Sequence, residues 1–467
     1  MFELAVINGA IVTPQTVAKG NLYVKDGLIA AVTDPSVRLD AGATLDARGL
    51  HVFPGFIDPH VHSRDGGATH KEDFWHSTRA AALGGITTLI EMPNAVPAVS
   101  DAQRFARQKE NLAAKAYIDF AMWALCLGKL NNDNLAELDE LGAAAFKFFW
   151  GYAINKETYG LVYNYKKYDS SVIPPLSDGE IYTIFEQVAK TGKPLAIHAE
   201  NASLMGELLE RVKPAYYQNE YEALLATRPS VAEETIINTA VSFARATGAH
   251  LHILHMSARE GVDILRRAKR EGVAVTGETA PHYLTLTKED FARVGTAIKG
   301  YPPVRGKADQ DALWQGLCDG TIDSLGSDHA PHTAQEKSGS LFEIPAGMCS
   351  IETLVPLMLD AANKKKISLG RLAQVLSENT AKLYGLYPQK GSLLPGTDAD
   401  ITIVDLARDK IIRAGEMFSI SKVTAFDGVA VVGVPVHTIV RGNILVQDGK
   451  LTTERSTGRF VCAASGR

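Results

Sequence analysis

The hydrophobic pattern divides the chain into two similar ends and a different middle. Near the N-terminus, Leu4–Ile7, Ile11–Thr13, Leu22–Val24, Leu28–Val32 and His51–Phe53 are short apolar runs. Asn8-Gly9, Asp26-Gly27 and Ala41-Gly42 separate them, and runs of that length between turn-forming dipeptides predict β-strands. The last stretch reads the same way, with Asp400–Val404, His437–Val440 and Ile444–Gln447 divided by Arg441-Gly442-Asn443 and closed by Asp448-Gly449. Neither end can bury a sheet face alone. The two are therefore expected to pair into one small β-sandwich domain, residues 1–53 plus 390–467.

Between them the period changes. Eight apolar runs, Phe56–His62, Thr87–Met92, Ile118–Leu125, Ala145–Phe149, Leu195–Ala199, Leu251–Met256, Val273–Glu278 and Ile322–Ser327, alternate with Ala-, Glu-, Lys- and Leu-rich stretches such as Lys71–Leu83, Gly179–Thr191 and Glu260–Glu271. Strands alternating with helices imply βαβ units and a parallel sheet. Eight of them fit an α/β fold of the (β/α)8 barrel type, a TIM-like barrel over residues 54–389. A doubly wound open sheet is the competing layout, but no glycine-rich phosphate turn follows the first run. One irregularity remains. Residues 151–178 form a long connection with five tyrosines (Tyr152, Tyr159, Tyr163, Tyr165, Tyr168) and Pro174-Pro175, and such a loop inside a barrel is usually functional.

Composition removes several classes of function. The 467 residues carry 48 Lys+Arg against 53 Asp+Glu, a net −5, so no basic excess exists to neutralise nucleic-acid phosphates or an anionic membrane surface. No apolar run approaches the ~20 residues that span a bilayer. Met1-Phe2-Glu3-Leu4 lacks the basic region of a secretory signal. The four cysteines are scattered without a CxxC pair, which argues against disulfides and thiolate zinc sites. A cytoplasmic enzyme is the expectation, with a small molecule as its partner.

Chemistry in a (β/α)8 barrel sits where the strands end at the carboxyl face. The first run ends in His60-Val61-His62, and two histidines at i and i+2 point to one side of a strand. A lone histidine there is more often a satisfied core residue than a ligand, and a same-face pair brings the metal reading level with it. Lys147 lies in the fourth run beside three aromatics. It either snorkels outward or is buried with a lowered pKa, as a neutral amine able to add CO2 and become a carbamate that bridges two cations. The fifth run ends in His198-Ala199-Glu200, the sixth in His255-Met256-Ser257, and the eighth leads into Asp328-His329-Ala330-Pro331-His332. Imidazole and carboxylate suit zinc or manganese. A two-metal site follows: His60 and His62 on one ion, His198 and His255 on the other, Lys147 bridging, and Asp328 on the first ion facing a shared hydroxide. Asp328 would take the hydroxide proton and deliver it to a leaving nitrogen, which is hydrolysis of an amide or a related bond.

These positions resemble the amidohydrolase superfamily, specifically its cyclic amidase branch of dihydroorotase, allantoinase and hydantoinase/dihydropyrimidinase. The resemblance rests on Pro54-Gly55-Phe56-Ile57-Asp58-Pro59-His60-Val61-His62, Met92-Pro93-Asn94, Phe146-Lys147-Phe148-Phe149, His198-Ala199-Glu200-Asn201, His252-Ile253-Leu254-His255 and Ser327-Asp328-His329, with Gly396-Thr397-Asp398-Ala399-Asp400 in the small domain. It implies a carbamylated Lys147, two divalent ions (zinc first, with manganese, cobalt or iron as alternatives), the ligand set above, and a homodimer or homotetramer. A deaminase or phosphotriesterase on the same barrel, and a non-catalytic scaffold relative, are weighed against it. Lys147 disfavours the mononuclear deaminases, and the filled ligand positions disfavour the scaffold.

The substrate markers are mixed. Arg64, Asn94 and His332 resemble the dihydroorotase set that grips the substrate carboxylate, and His70-Lys71-Glu72-Asp73 has the same flavour. Arg64 is alternatively held at the surface by an ion pair with Asp65 or by a loop carbonyl. Tyr152, five residues after Lys147, stands where hydantoinases carry a tyrosine that stabilises the oxyanion, although a core or lid tyrosine fits equally. Phe342-Glu343-Ile344-Pro345-Ala346-Gly347 also leans towards hydantoinase, Tyr301 departs from the dihydroorotase pattern, and His282 is read as structural. The expected substrate is a cyclic ureide or imide. Dihydroorotate is the first candidate, and hydantoin, dihydropyrimidine or allantoin is the alternative.

Overall fold

The computed structural model describes residues 1–162 and 169–464. Eight parallel strands, Phe56–Val61, Ile86–Glu91, Asp119–Leu125, Ala145–Trp150, Leu195–Ala199, Leu251–Ile253, Val275–Thr279 and Ser324–Leu325, lie side by side in chain order. Each answers one of the eight apolar runs. Every residue of Asp119–Leu125 and of Phe56–Val61 is buried, as strands covered on both faces require. The last strand meets the first: His62 donates its backbone N–H to the His329 carbonyl at 2.8 Å, and Ser327 donates to Asp58 Oδ1 at 3.0 Å. The result is a near-closed barrel.

The helices between the strands follow the sequence signals. Asp73, Asp101 and Ser177 cap the N-termini of Phe74–Leu83, Ala102–Ala113 and Asp178–Ala189 by accepting backbone N–H groups. Arg259–Arg270 buries Val262, Ile264, Leu265 and Ala268 and holds its basic residues in the last turn, where the helix dipole favours them. Among the described residues no helix is long and apolar enough to cross a membrane.

The two chain ends interleave in one mixed sheet of nine strands. His51–Pro54 is the splice: it pairs in parallel with Phe2–Val12 and antiparallel with Ile401–Ile411. Leu4, Val6, Leu22, Val24, Ile401, Ile403 and Ile439 share one apolar core. Two local expectations change. Leu4–Ile7 and Ile11–Thr13 are one strand, Phe2–Val12, bulged between Val6 and Gly9, because Asn8 adopts a φ of 64° and donates through its side chain to Asp46. A Cβ on Gly9 would meet Val52 Cγ2 at 2.5 Å, so glycine is required by close packing there rather than by a turn. Ala41–Asp46, read from the sequence as containing a turn, is a strand.

An ionic cluster joins the sheet to the barrel floor. The buried Lys390 ammonium donates to Asp119 of the third barrel strand at 2.6 Å and to Asp400 at 2.7 Å, and lies 2.9 Å from Asp398. Arg441 adds a second bond to Asp119. These carboxylates are close enough to hold a cation, and Lys390 already fills that role.

The long connection after the fourth strand is ordered at its base. Ala153–Asn155 lies between Leu161–Val162 and Val172–Ile173 in a small antiparallel sheet. Tyr163, Tyr165 and Tyr168 lie outside the described residues. Replacing Lys390 by methionine leaves three buried carboxylates with one cation, and is expected to lower stability by about 3–5 kcal/mol in chemical denaturation. An unchanged unfolding midpoint would mean that the cluster does not hold the two parts together.

Candidate active site

The carboxyl ends of the barrel strands converge on a cleft of about 500 Å3 lined by His60, His62, Lys147, His198, His255 and Asp328, with Arg64, Phe149, Tyr152 and Tyr301 around them. Two groups of donors, a trio and a pair, face each other across it. Asp328 Oδ1 lies 3.3 Å from His60 Nε2 and 3.6 Å from His62 Nε2. His198 Nδ1 lies 3.1 Å from His255 Nε2. The His60 and His255 ring centroids are 5.3 Å apart, so the groups adjoin. His255 and Asp328 hold positive φ values of 38° and 48°, a conformation costly for a side-chain-bearing residue that turns both into the mouth.

Three of the four imidazoles are fixed from behind. Glu278 Oε1 is 2.7 Å from His60 Nδ1, Asn94 Oδ1 is 2.7 Å from His62 Nδ1, and Glu200 Oε2 is 2.8 Å from His198 Nε2. An oxygen acceptor on the outer nitrogen puts the proton there and leaves the inner nitrogen with its lone pair. His255 Nδ1 has no partner among the described residues. Burial, opposed by the neighbouring Asp328 carboxylate, takes His62 down to about 4. Burial pushes Glu200 and Glu278 up, yet Arg228 and His198 bring the first to about 2, and His60 and His252 do the same for the second. Asp328 is raised by burial but held well below the usual carboxylate range by the imidazoles of His60 and His62 beside it. The mouth therefore sets the His62 imidazole, which gives up its proton readily, beside carboxylates that stay ionised.

Lys147 is fully buried and its amine has no hydrogen-bond partner among the described residues. The nearest ring face is Phe149, 4.6 Å away. Burial lowers its pKa to about 7 against the pull of Asp328 and Glu278. The donors of His60, His62 and Asp328 lie within 4.8 Å of one another, a spacing that accommodates a divalent cation. Nitrogen and carboxylate donors, an orphaned buried amine and a second inward-facing imidazole pair together fit a metal centre.

The three residues read as a carboxylate clamp lie close together at the edge of the cleft, each with a partner inside the chain. Arg64 lines the cleft, but its Nε donates to the Pro331 carbonyl at 3.1 Å and its Nη2 is 3.1 Å from His332 Nε2. His332 sits in the wall, bonded to Lys71 Nζ at 3.2 Å and to the Ala346 carbonyl at 3.0 Å. Asn94 is engaged with His62. Tyr152 lines the cleft with its ring edge-on to His198 at 4.9 Å. His282 does not line the cleft, and both its ring nitrogens are buried without partners among the described residues. Two chambers adjoin the cleft, a polar one with Arg64, Lys71, Glu91 and Asn94, and an apolar one with Leu125, Phe148, Phe149 and Leu176.

Sequence reasoning gave no role to Glu200, Glu278 or Arg228. Glu200, two residues from His198 at a strand end, was findable by the same-face rule applied to the two histidines of the first strand. Nothing in the local pattern marks Arg228.

The amidohydrolase family model matches residues 51–445, and the chain belongs to that family. An L-hydantoinase of Paenarthrobacter aurescens is 34% identical over 466 residues, covering 99% of this chain and 98% of the relative. An allantoinase of Streptomyces avermitilis is 34% identical over 461 residues, covering 98% of each. The solved L-hydantoinase (dihydropyrimidinase) from Arthrobacter aurescens superposes with a TM-score of 0.92 at 33% identity, over 99% of this chain and 100% of that one. The protein is a cyclic amidohydrolase, an enzyme of metal-dependent ring-amide hydrolysis.

Removal of the Asn94 carbonyl (Asn94→Ala) is expected to weaken metal retention by about 10- to 100-fold, because His62 loses its outer partner. Competition against a chelator measures it. Unchanged retention, with loss of turnover confined to carboxylated substrates, would place Asn94 on the substrate instead.

Proposed function

We propose that this enzyme opens the ring of a five-membered cyclic ureide, a hydantoin or allantoin, at the ring amide. The observation that carries the reading is the convergence of four imidazoles, Asp328 and the unpartnered Lys147 on one cleft, in a chain that matches an L-hydantoinase and allantoinases over nearly its whole length. In this reading His60, His62 and Asp328 hold one divalent ion, His198 and His255 hold the other, and Lys147 bridges them as a carbamate. Zinc is the first candidate for both. Bound there, the two ions would polarise the ring carbonyl and bring the pKa of water towards neutrality.

The chain's own residues supply the rest. Asp328, ionised and facing the cleft, accepts a proton and returns it to the departing ring nitrogen. Tyr152 offers its phenol where negative charge develops on the carbonyl oxygen. Phe149 and Tyr301 exclude bulk water from the ring. Within the branch, dihydroorotate is placed second: the relatives matched over nearly the whole chain are an L-hydantoinase and allantoinases, and Arg64, Asn94 and His332 each already hold a partner inside the protein. The polar and apolar chambers beside the cleft receive the ring substituent.

Turnover measured side by side on a 5-monosubstituted hydantoin, allantoin, dihydrouracil and dihydroorotate is expected to give kcat/KM for hydantoin or allantoin at least about tenfold above dihydroorotate, ~1.4 kcal/mol in transition-state binding. A preference for dihydroorotate would overturn the substrate assignment. Elemental analysis is expected to find about two divalent ions per chain. Lys147→Ala is expected to lower that count and abolish turnover, and intact-protein mass spectrometry should show a CO2 adduct in the parent enzyme only. A full complement of metal in the variant would remove Lys147 from the centre.

A further inference from the structure

The two halves of the donor set are backed by different charges. Behind His60 stands Glu278, fully buried, with His60 at 2.7 Å and His252 at 4.0 Å as its ion-pair partners. No lysine or arginine among the described residues forms an ion pair with it. Asp328 adds a second negative charge on that side, and Arg64, turned towards Pro331 and His332, offsets one of the two. Behind His198 stands Glu200, equally buried, but the oxygen that meets His198 also accepts from Arg228 Nη1 at 2.5 Å.

Arg228 is locked in place. Its guanidinium stacks on the Tyr301 ring at 3.4 Å from the centroid, and its side chain is only 13% exposed. Farther back, Glu233 is matched by Arg305 at 3.5 Å and adds no net charge. The charge behind His198 and His255 therefore sums to zero, whereas that around His60, His62 and Asp328 remains negative. Lys147 lies between the halves and serves both. A divalent cation is attracted by each uncompensated negative charge in a low-dielectric site and repelled by each positive one.

We propose that Arg228 makes the two cation positions unequal, so that the ion at His198 and His255 is the weaker, exchangeable one and the ion at His60, His62 and Asp328 is retained. The inference rests on the two-ion reading above. Arg228 does not line the cleft and is a positioning residue, acting through Glu200 on His198. Its charge sets how firmly the second ion is held, and the bond it shares with Glu200 fixes which imidazole nitrogen faces inward.

The test is a zinc titration of the metal-free full-length chain against a chromophoric chelator, with bound metal counted after dialysis. The parent enzyme is expected to fill in two steps separated by about tenfold or more in affinity. Arg228→Gln should tighten the weak step about tenfold and leave the tight one in place, while Arg228→Lys, which keeps the charge, should preserve the gap. Glu200→Gln should weaken only the weak step and Glu278→Gln only the tight one. Two equal steps in the parent, or a gap unchanged in a folded Arg228→Gln protein, would overturn the proposal. Should Arg228→Gln fail to fold, the glutamate variants decide, and the reversed assignment of their effects would overturn it equally. Fewer than two ions in the parent would instead refute the two-ion reading, a separate failure.

Discussion

A lysine amine buried among aromatic side chains, with no hydrogen-bond partner among the described residues, is the constraint around which this molecule is organised. Leaving a charged ammonium in such a place is costly, and the amine responds by giving up its proton far more readily than an exposed lysine. No core needs such a group for packing, since methionine would fill the same volume. Lys147 makes sense only together with the donors that share its cleft, delivered by the ends of the first, fifth, sixth and eighth strands.

The barrel makes that convergence inexpensive. Eight parallel strands place eight carboxyl ends around one mouth, and closure between Val61 and His329 brings the first strand's histidines against the Asp328 turn. Behind the donors, a layer of acceptors aims them. Glu278 and Asn94 come from other parts of the chain and Glu200 from the same strand end as His198, and each takes the nitrogen that must not face the cleft. Positive φ at His255, Asp328 and Arg64 shows that the backbone is bent to serve the site. The far end of the barrel carries the opposite assignment: Lys390 and its carboxylates bind the small sheet and take no part in the cleft.

Much of this was legible from residue order. Continuous apolar runs revealed the barrel strands because both faces are covered, and the His60/His62 spacing revealed a shared face because strand geometry admits no other reading. Asn8-Gly9 misled because the dipeptide suited to a turn is equally suited to a bulge, and only pairing partners from distant segments decide between them. Arg228 was invisible for a related reason. Its meaning lies in Glu200 and Tyr301, 28 residues before it and far downstream, and no periodicity records such a meeting. The markers of substrate choice have the same limit. Arg64, Asn94 and His332 occupy positions that match a carboxylate clamp in sequence, and residue order does not record that each also holds a partner inside the folded chain. Comparison with hydantoinase and allantoinase relatives, rather than any motif, moved the assignment within the branch.

The account stands on two ions meeting at Lys147. The most direct test is a crystal of the enzyme grown with zinc and measured at the zinc absorption edge. Two anomalous peaks about 3.5–4 Å apart are predicted, one among His60, His62 and Asp328 and one between His198 and His255, with forked density extending from Lys147 to both. A single peak, or a Lys147 side chain that ends unbranched and apart from the metal, would contradict it.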